Sequence, residues 1–395
     1  MAAEVFSFTT QGVEFVQASL ATRYFGREDL ATYFPDPRES GWMFEALALL
    51  EDGLPVPPAF GPFRVGSFYR MPQHRRSCCL SRIRPGGEVT GPVVVLKGLE
   101  VLSPNIGQFL QQLAVDRSAS PNLALLDHFA VVERKAPAAF ALQEATQEAA
   151  IAQHIHRQFR LPLEELRLPL PLLVYRVGQA QAERYLAAVR PLTADYTFHI
   201  IEEICSGGLA VYAYLYPEVP VRHFNLDSKG VAASMAAHLG YLRGFCDPDV
   251  VIGRWCGNVA KLLSIGVLPA TPLARFTGSC VDVNNAVMDG GLVDMDSCVQ
   301  IHNGLPDRFV YESIESSIGI LSGTILQYLC RGKLLSDQSR SAIRSIERYC
   351  FESIRESLVH ASKAGLDLEP RVASYFFAPA TLDRLYSVLD QHLVP

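Results

Sequence analysis

Asp282-Val283-Asn284-Asn285-Ala286-Val287-Met288-Asp289-Gly290-Gly291-Leu292-Val293-Asp294-Met295-Asp296 is the stretch whose reading decides the fold. Two short apolar runs flank Asp289-Gly290-Gly291, a triplet suited to a tight turn that needs positive φ. The pattern predicts a β-hairpin, within a turn-rich cluster spanning 278–297. Asn285 and Asp294 lie nine apart and straddle the turn, so the hairpin brings them together. One amide carbonyl and one carboxylate are hard oxygen ligands of the kind Mg²⁺ takes in phosphoryl transfer. Asn285 and Asp294 are therefore the candidate metal ligands. The same residues also suit a polar hairpin whose acids are merely solvated.

Upstream, the texture is β-rich from Phe63. FRVGSFYRM, SCCLSRI and PVVVLKGLEV are short runs separated by turn signals such as Arg84-Pro85-Gly86-Gly87, which predicts an antiparallel sheet. Val93-Val94-Val95-Leu96-Lys97 ends a β-branched run on a lysine, where kinases place the lysine that contacts nucleotide phosphates. A surface lysine at a strand end would read the same way. Residues 141–159, ALQEATQEAAIAQHIHRQF, are rich in helix formers. Glu144 and Glu148 share one face of that helix, four residues apart. Glu148 opens the apolar run Ala149-Ala150-Ile151-Ala152 and is the expected partner of Lys97.

The remaining segments complete the order. Residues 1–52 read as helical, with FVQASLATRYF and GWMFEALALLEDG at helical spacing and Gly53 as a stop; GLPVPPAFGP is a linker. LPLPLLVYRVG and AERYLAAVRPL read as strands. HIIEEICSGGLAVYAYLY and GVAASMAAHLGYLRGFC read as helical, and the chain after the hairpin is helical nearly to its end. A sheet with one inserted helix, then helices, a hairpin and more helices is the element order of an α+β, bilobal protein-kinase-like fold. It would have a β-rich N-lobe and a mainly helical C-lobe carrying the metal-binding β-hairpin. The expected organisation is an N-terminal helical extension and linker (1–62), an N-lobe of sheet plus helix (63–192) and a helical C-lobe (193–395) holding the hairpin 278–297.

NNAVMDGGLVD resembles the metal-binding segment of the selenoprotein O family of kinase-like proteins, which typically reads DNMSILGLTID, with the same spacing from Asn to Asp. Leu96-Lys97-Gly98 looks like that family's Leu-Lys-Gly, and Glu148-Ala149-Ala150-Ile151 is similar to its Glu-Ala-Met helix. The three motifs are short and spread over roughly 93–296. The resemblance implies transfer of AMP from ATP to protein hydroxyls, with the nucleotide flipped relative to ordinary kinases. The family's base, an Asp immediately before the metal-binding Asn, falls at Asn284, whose amide cannot take up a proton. Asp282, or alternatively Asp296, would then supply the carboxylate, so Asp282 and Asn284 are the candidate catalytic positions. The family's DYG-like triplet reads Asp294-Met295-Asp296 here.

Arg64, Arg70, His74, Arg75, Arg76, Arg82 and Arg84 form a local basic excess. Guanidinium groups bind phosphate bidentately, so Arg70, Arg75 and Arg76, with Lys97 and Glu148, are the candidate nucleotide-binding residues. His74 belongs to the same segment, and no GxGxxG accompanies it. Arg222-His223-Phe224-Asn225 and His302 are lone polar groups with satisfied structural roles as the simpler reading. The chain carries a formal net charge of −6 with a pI near 6.0, which argues against nucleic-acid or anionic-membrane partners. Its 49 % hydrophobic residues allow a sizeable core. No run of about 18 apolar residues offers a membrane span, and no leader pattern opens the chain, so a cytoplasmic location is expected. Nine cysteines, with no CxxC spacing, read as reduced, mostly buried thiols.

Together these readings lead to an ATP- and Mg²⁺-dependent transferase moving AMP to a hydroxyl of a protein or peptide. Two alternatives stand beside it. One is a small-molecule or peptide phosphotransferase, although Thr277-Gly278-Ser279-Cys280 lies where such kinases present His-Gly-Asp. The other is a nucleotide-binding pseudokinase, favoured by Asn284.

Overall fold

The structure, a computed structural model, describes residues 14–16, 19–34, 37–56, 63–65, 68–74, 77–82, 92–117, 122–218, 220, 247–272, 279–283, 285–329 and 339–378. The chain divides into two compact units, residues 1–221 with 225–244, and residues 222–224 with 245–395. Among the described residues, no helix is long and apolar enough to cross a membrane.

The first unit is organised by one antiparallel sheet. Its strands are β2 (Ser19–Arg23), β4 (Phe63–Val65), β5 (Phe68–His74), β6 (Ser77–Arg82), β7 (Val93–Lys97), β8 (Leu170–Arg176) and β9 (Ala210–Tyr216), in the order β2-β8-β9-β7-β6-β5-β4. A small ribbon pairs β1 (Glu14–Val16) with β3 (Leu54–Val56). β4 to β7 form the meander that the sequence predicts. β7 and β9 are buried along their whole length, as suits β-branched and aromatic runs covered on both faces. Helices α1 (Arg27–Tyr33), α2 (Pro37–Asp52), α3 (Ile106–Val115), α4 (Leu125–Asp127), α5 (Leu142–Phe159), α6 (Leu163–Leu166), α7 (Gln179–Val189) and α8 (Asp195–Ser206) complete the unit. α5 packs on β8 and β9. Its buried stripe is Ala145, Glu148, Ala149, Ala152, Ile155 and His156, at helical spacing.

The structure departs from the sequence pattern in several segments. FVQASLATRYF is not helical: it supplies parts of β1 and β2, and β2 adds to the edge of the sheet against β8. GWMFEALALLED is helical as expected, within α2, and the segment belongs to the first unit. AERYLAAVRPL lies mostly in helix α7, whose Ala, Gln and Glu content favours helix. Tyr185 and Val189, four apart, are its buried face. GLAVYAYLY is not helical but strand β9, with tyrosines at every second position, paired with both β7 and β8. Because β9 returns to the middle of the sheet, the first unit runs past residue 192 to residue 221.

The second unit contains α9 (Pro248–Ser264), α10 (Asp307–Leu329), α11 (Ser339–Lys363) and α12 (Pro370–Phe377). α9 starts cleanly: the Asp247 carboxylate accepts from the Asp249 N–H at 3.0 Å, and Pro248 takes the first helical position. Trp255, Phe351 and Phe376 are among its largest fully buried side chains. A two-residue ribbon, β10 (Val267–Leu268) with β11 (Val299–Gln300), closes the base of the loop that carries Asn285 and Asp294. PATLDRLYSVLDQHLV, GVAASMAAHLGYLRGFC and the turn Arg84-Pro85-Gly86-Gly87 lie outside the described residues.

Candidate functional site

Lys97 ends β7 with its side chain inside the first unit. Its Nζ donates to Glu148 Oε2 at 2.6 Å, with the two side chains 2 % and 0 % exposed. The partner expected from the apolar flank is thus the observed one, and Glu144, a turn earlier, is half-buried. The ammonium also lies 5.0 Å from the centroid of the Phe140 ring, within cation–π range. Gly98 follows with φ 81°, and a Cβ there would meet the Ala210 carbonyl oxygen at 2.4 Å and Phe140 Cβ at 2.9 Å. The Lys-Gly dipeptide therefore has a backbone reason: the chain turns left-handed against β9 where only glycine fits. Across the ladder Lys97 faces Tyr212 of β9. Burial, followed by the charge of Glu148, holds the Tyr212 phenol well above its ordinary range.

In the second unit, residues 279–298 form a tight loop rather than a full hairpin. Among the described residues its ladder is a single bridge, Ala286 to Leu292. Beside it, the Val287 N–H donates to the Gly291 carbonyl at 2.9 Å and the Val293 N–H to the Asn285 carbonyl at 3.0 Å. Polar and turn-forming residues leave too few alternating positions for a longer ladder. What holds the loop instead is α9. Arg254 donates to the Asp289 carbonyl at 2.9 Å, Trp255 Nε1 to the Val287 carbonyl at 3.0 Å and Asn258 Nδ2 to the Gly290 carbonyl at 3.1 Å. Gly290 has φ 90°, and an added Cβ would sit 2.4 Å from Arg254 Cβ. The Asp289 carboxylate caps the turn by accepting from the Gly291 N–H at 2.8 Å.

Asn285 and Asp294 are both buried at the mouth of this turn. Asn285 Nδ2 donates to the Ser279 carbonyl at 2.8 Å, which fixes the orientation of the amide. Asp294 holds φ 56° and ψ 60°, a left-handed conformation that costs energy for a non-glycine residue and concentrates at functional sites. Asp282 is half-buried, and its Oδ2 accepts from the Ser279 N–H at 3.3 Å. The Cys280 and Cys298 sulfurs stand 3.5 Å apart beneath the loop. Burial first, then Cys298, then the charges of Asp282 and Asp296, push the Cys280 thiol far up.

Among the described residues, no three His, Cys, Asp or Glu side chains gather into a metal cage. Mg²⁺ that arrives with a nucleotide keeps waters and phosphate oxygens in its octahedral shell and asks the protein for only one or two ligands. One carboxylate and one oriented amide meet that demand.

The remaining expected residues are less constrained. Arg70 lies in β5, paired in register with Leu80 and Phe63. Arg75, Arg76, Asn284 and Arg222-His223-Phe224-Asn225 lie outside the described residues. His302 caps a local turn, accepting from the Gly304 N–H at 3.1 Å. Sequence reasoning missed Phe140, Tyr212 and the Arg254/Trp255/Asn258 clamp. The clamp has one visible signal, a lone asparagine inside the apolar run Trp255-Cys256-Gly257-Asn258-Val259-Ala260. Phe140 and Tyr212 have none: Tyr212 is set beside Lys97 by strand register, and Phe140 by its carbonyl, which accepts from the Ala210 N–H at 2.8 Å. No protein-family model, curated protein or solved structure matches the chain.

Proposed function

We propose that the chain is an ATP- and Mg²⁺-dependent transferase of protein-kinase-like, bilobal fold, moving AMP to a hydroxyl of a protein or peptide. The observation that carries the reading is the Lys97–Glu148 pair, fully buried at 2.6 Å. Taking two charges out of water is costly, and a buried pair is poor evidence for stability as such. A pair kept inside a sheet-and-helix unit, lysine on the strand and glutamate on the helix, is the device that kinases use to present an ammonium to phosphate.

In this reading Lys97 binds the nucleotide's phosphate oxygens while Glu148 holds the lysine in place. Asn285 and Asp294 hold Mg²⁺, and the α9 clamp keeps the two at a set spacing. Bound Mg²⁺ supplies charge neutralisation along the polyphosphate. Asp282 is the carboxylate best placed in the sequence to take the acceptor proton, and its Oδ2 is steadied by the Ser279 N–H at 3.3 Å. Positioning and electrostatics dominate such transfers, so an asparagine at 284 is compatible with turnover. AMP is favoured over phosphate as the transferred group by the likeness of 284–294 to the selenoprotein O segment.

The test uses ATP labelled at the α-phosphate or at the γ-phosphate, in parallel reactions with a lysate as acceptor. Label from the α-position only, lost in Asp294→Ala, is the expected result. Label from the γ-position makes the chain a phosphotransferase. Binding of MgATP with neither label transferred makes it a pseudokinase.

A further inference from the structure

Tyrosines buried in the first unit hand their hydroxyls to main-chain carbonyls with regularity. Tyr24 donates to Thr146 at 3.3 Å, Tyr33 to His156 at 3.1 Å, Tyr175 to Leu50 at 2.7 Å, Tyr185 to Pro137 at 2.7 Å and Tyr216 to Arg167 at 3.2 Å. Tyr212 breaks the pattern. It is 0 % exposed, and its hydroxyl has no hydrogen-bond partner among the described residues. A buried hydroxyl without a partner carries its full desolvation penalty, and a native protein that tolerates one needs a reason.

Position supplies the reason. Tyr212 is the direct ladder partner of Lys97, so the two side chains leave the sheet on the same face. That is the face where Lys97 meets Glu148 of α5. The Tyr212 ring is flanked by Phe140 at 6.4 Å and Tyr214 at 5.1 Å between centroids, which restrict it to small movements. Its hydroxyl proton, by contrast, is free to rotate toward an acceptor.

We propose that Tyr212 is a positioning residue of the nucleotide site, whose hydroxyl donates to the Glu148 carboxylate when Lys97 turns toward a phosphate oxygen. The inference rests on the nucleotide reading above. A lysine shared with phosphate gives its glutamate less, and a buried carboxylate that loses part of its pairing is strongly penalised. A hydroxyl held in reserve beside it supplies the missing donor. The cost is met in the resting protein, where the hydroxyl waits unbonded, and is recovered when nucleotide binds.

The experiment compares wild type, Tyr212→Phe, Glu148→Gln and the double variant, each by thermal unfolding without ligand and by calorimetric titration with MgATP. Tyr212→Phe is expected to melt at the same temperature as wild type or higher, and to bind MgATP about tenfold more weakly, the range of one hydrogen bond to a charged group. In the Glu148→Gln background the same substitution is expected to change the affinity less than twofold, because the hydroxyl acts through the carboxylate. Raman bands of the tyrosine ring, taken as wild type minus Tyr212→Phe, are expected to shift to the bonded form on addition of MgATP. A lower melting temperature for Tyr212→Phe would overturn the inference, since the hydroxyl would then be a structural donor. So would unchanged MgATP affinity in that variant, with the nucleotide reading left standing. A wild type that binds no MgATP removes both.

Discussion

At the scale of single residues, the Lys97–Glu148 pair makes the sharpest demand. Lys97→Met leaves a carboxylate buried without its cation, which costs about 3–5 kcal/mol. Glu148→Gln keeps shape and an acceptor and should cost less. Chemical denaturation is expected to rank wild type above Glu148→Gln above Lys97→Met, with MgATP-dependent label transfer lost in both variants. Equal stability of Lys97→Met and wild type would mean that the pair is not closed in solution. His156 gives a second test. It is wholly buried, with its Nε2 3.0 Å from the Pro169 carbonyl and its ring edge-on to Tyr33. Burial lowers its pKa from 6.5 to about 4, although the backbone bonds partly oppose this. Between those values the unfolded chain binds a proton that the native chain does not, so stability falls as pH falls through that window. The slope from this one group is about 1.4 kcal/mol per pH unit. Denaturant midpoints at pH 7 and pH 5 should converge in His156→Gln relative to wild type. Lys97, Glu148, Asn285 and Asp294 could all be picked out from the sequence, because each stands at a recognisable offset from a strand end, an apolar flank or a glycine turn. Tyr212 could not, because its neighbourhood is set by a strand 115 residues beyond Lys97 in the chain.

At the scale of elements, local signals succeeded where they were strong and failed where pairing decides. Residues 142–159 form a helix on composition alone, and β7 is β-branched and continuous. β9 carries Tyr212, Tyr214 and Tyr216 two apart, the period of a strand, but the helical run that precedes it in HIIEEICSGG hid that change of period. β2 is wholly exposed yet extended, because the edge of β8 offers it a ladder. The loop at 279–298 shows the same division: the turn was visible in Asp289-Gly290-Gly291, the helix that grips it was not. That grip is open to measurement. Asn258→Ala removes the donor to the Gly290 carbonyl and is expected to cost about 1–3 kcal/mol by leaving a buried acceptor unmet. Gly290→Ala should be worse, because both its φ and the Arg254 side chain stand against a Cβ. Thermal unfolding should order the two, and Mg²⁺-dependent turnover should fall in both. A Gly290→Ala protein with unchanged melting and turnover would show that α9 does not set the loop.

At the scale of the molecule, thiol chemistry reports on the whole core. Cys79, Cys205, Cys256, Cys280, Cys298 and Cys350 are buried thiols, spread over both units. Burial pushes the Cys205 thiol up to about 12, and Cys280 is driven further the same way. A reagent cannot reach a sulfur packed in the core, so the native protein should leave these six unlabelled by an aromatic disulfide reagent at neutral pH, and all should react once denaturant is added. Rapid labelling of any of the six in the native state would contradict the packing of that unit.

The place of β9 bears on how the chain is made. It is the last strand of its sheet to leave the ribosome, yet it belongs in the middle, between β8 and β7. Until it is synthesised, the β2–β8 pair and the β4–β7 meander have no ladder to join them. During that interval two apolar strands, Val93–Lys97 and Leu170–Arg176, each present an open edge, the surface most prone to pairing with a neighbouring chain. Nascent chains halted short of residue 210 are therefore natural clients for chaperones, and seven further residues are what turn two sticky half-sheets into one.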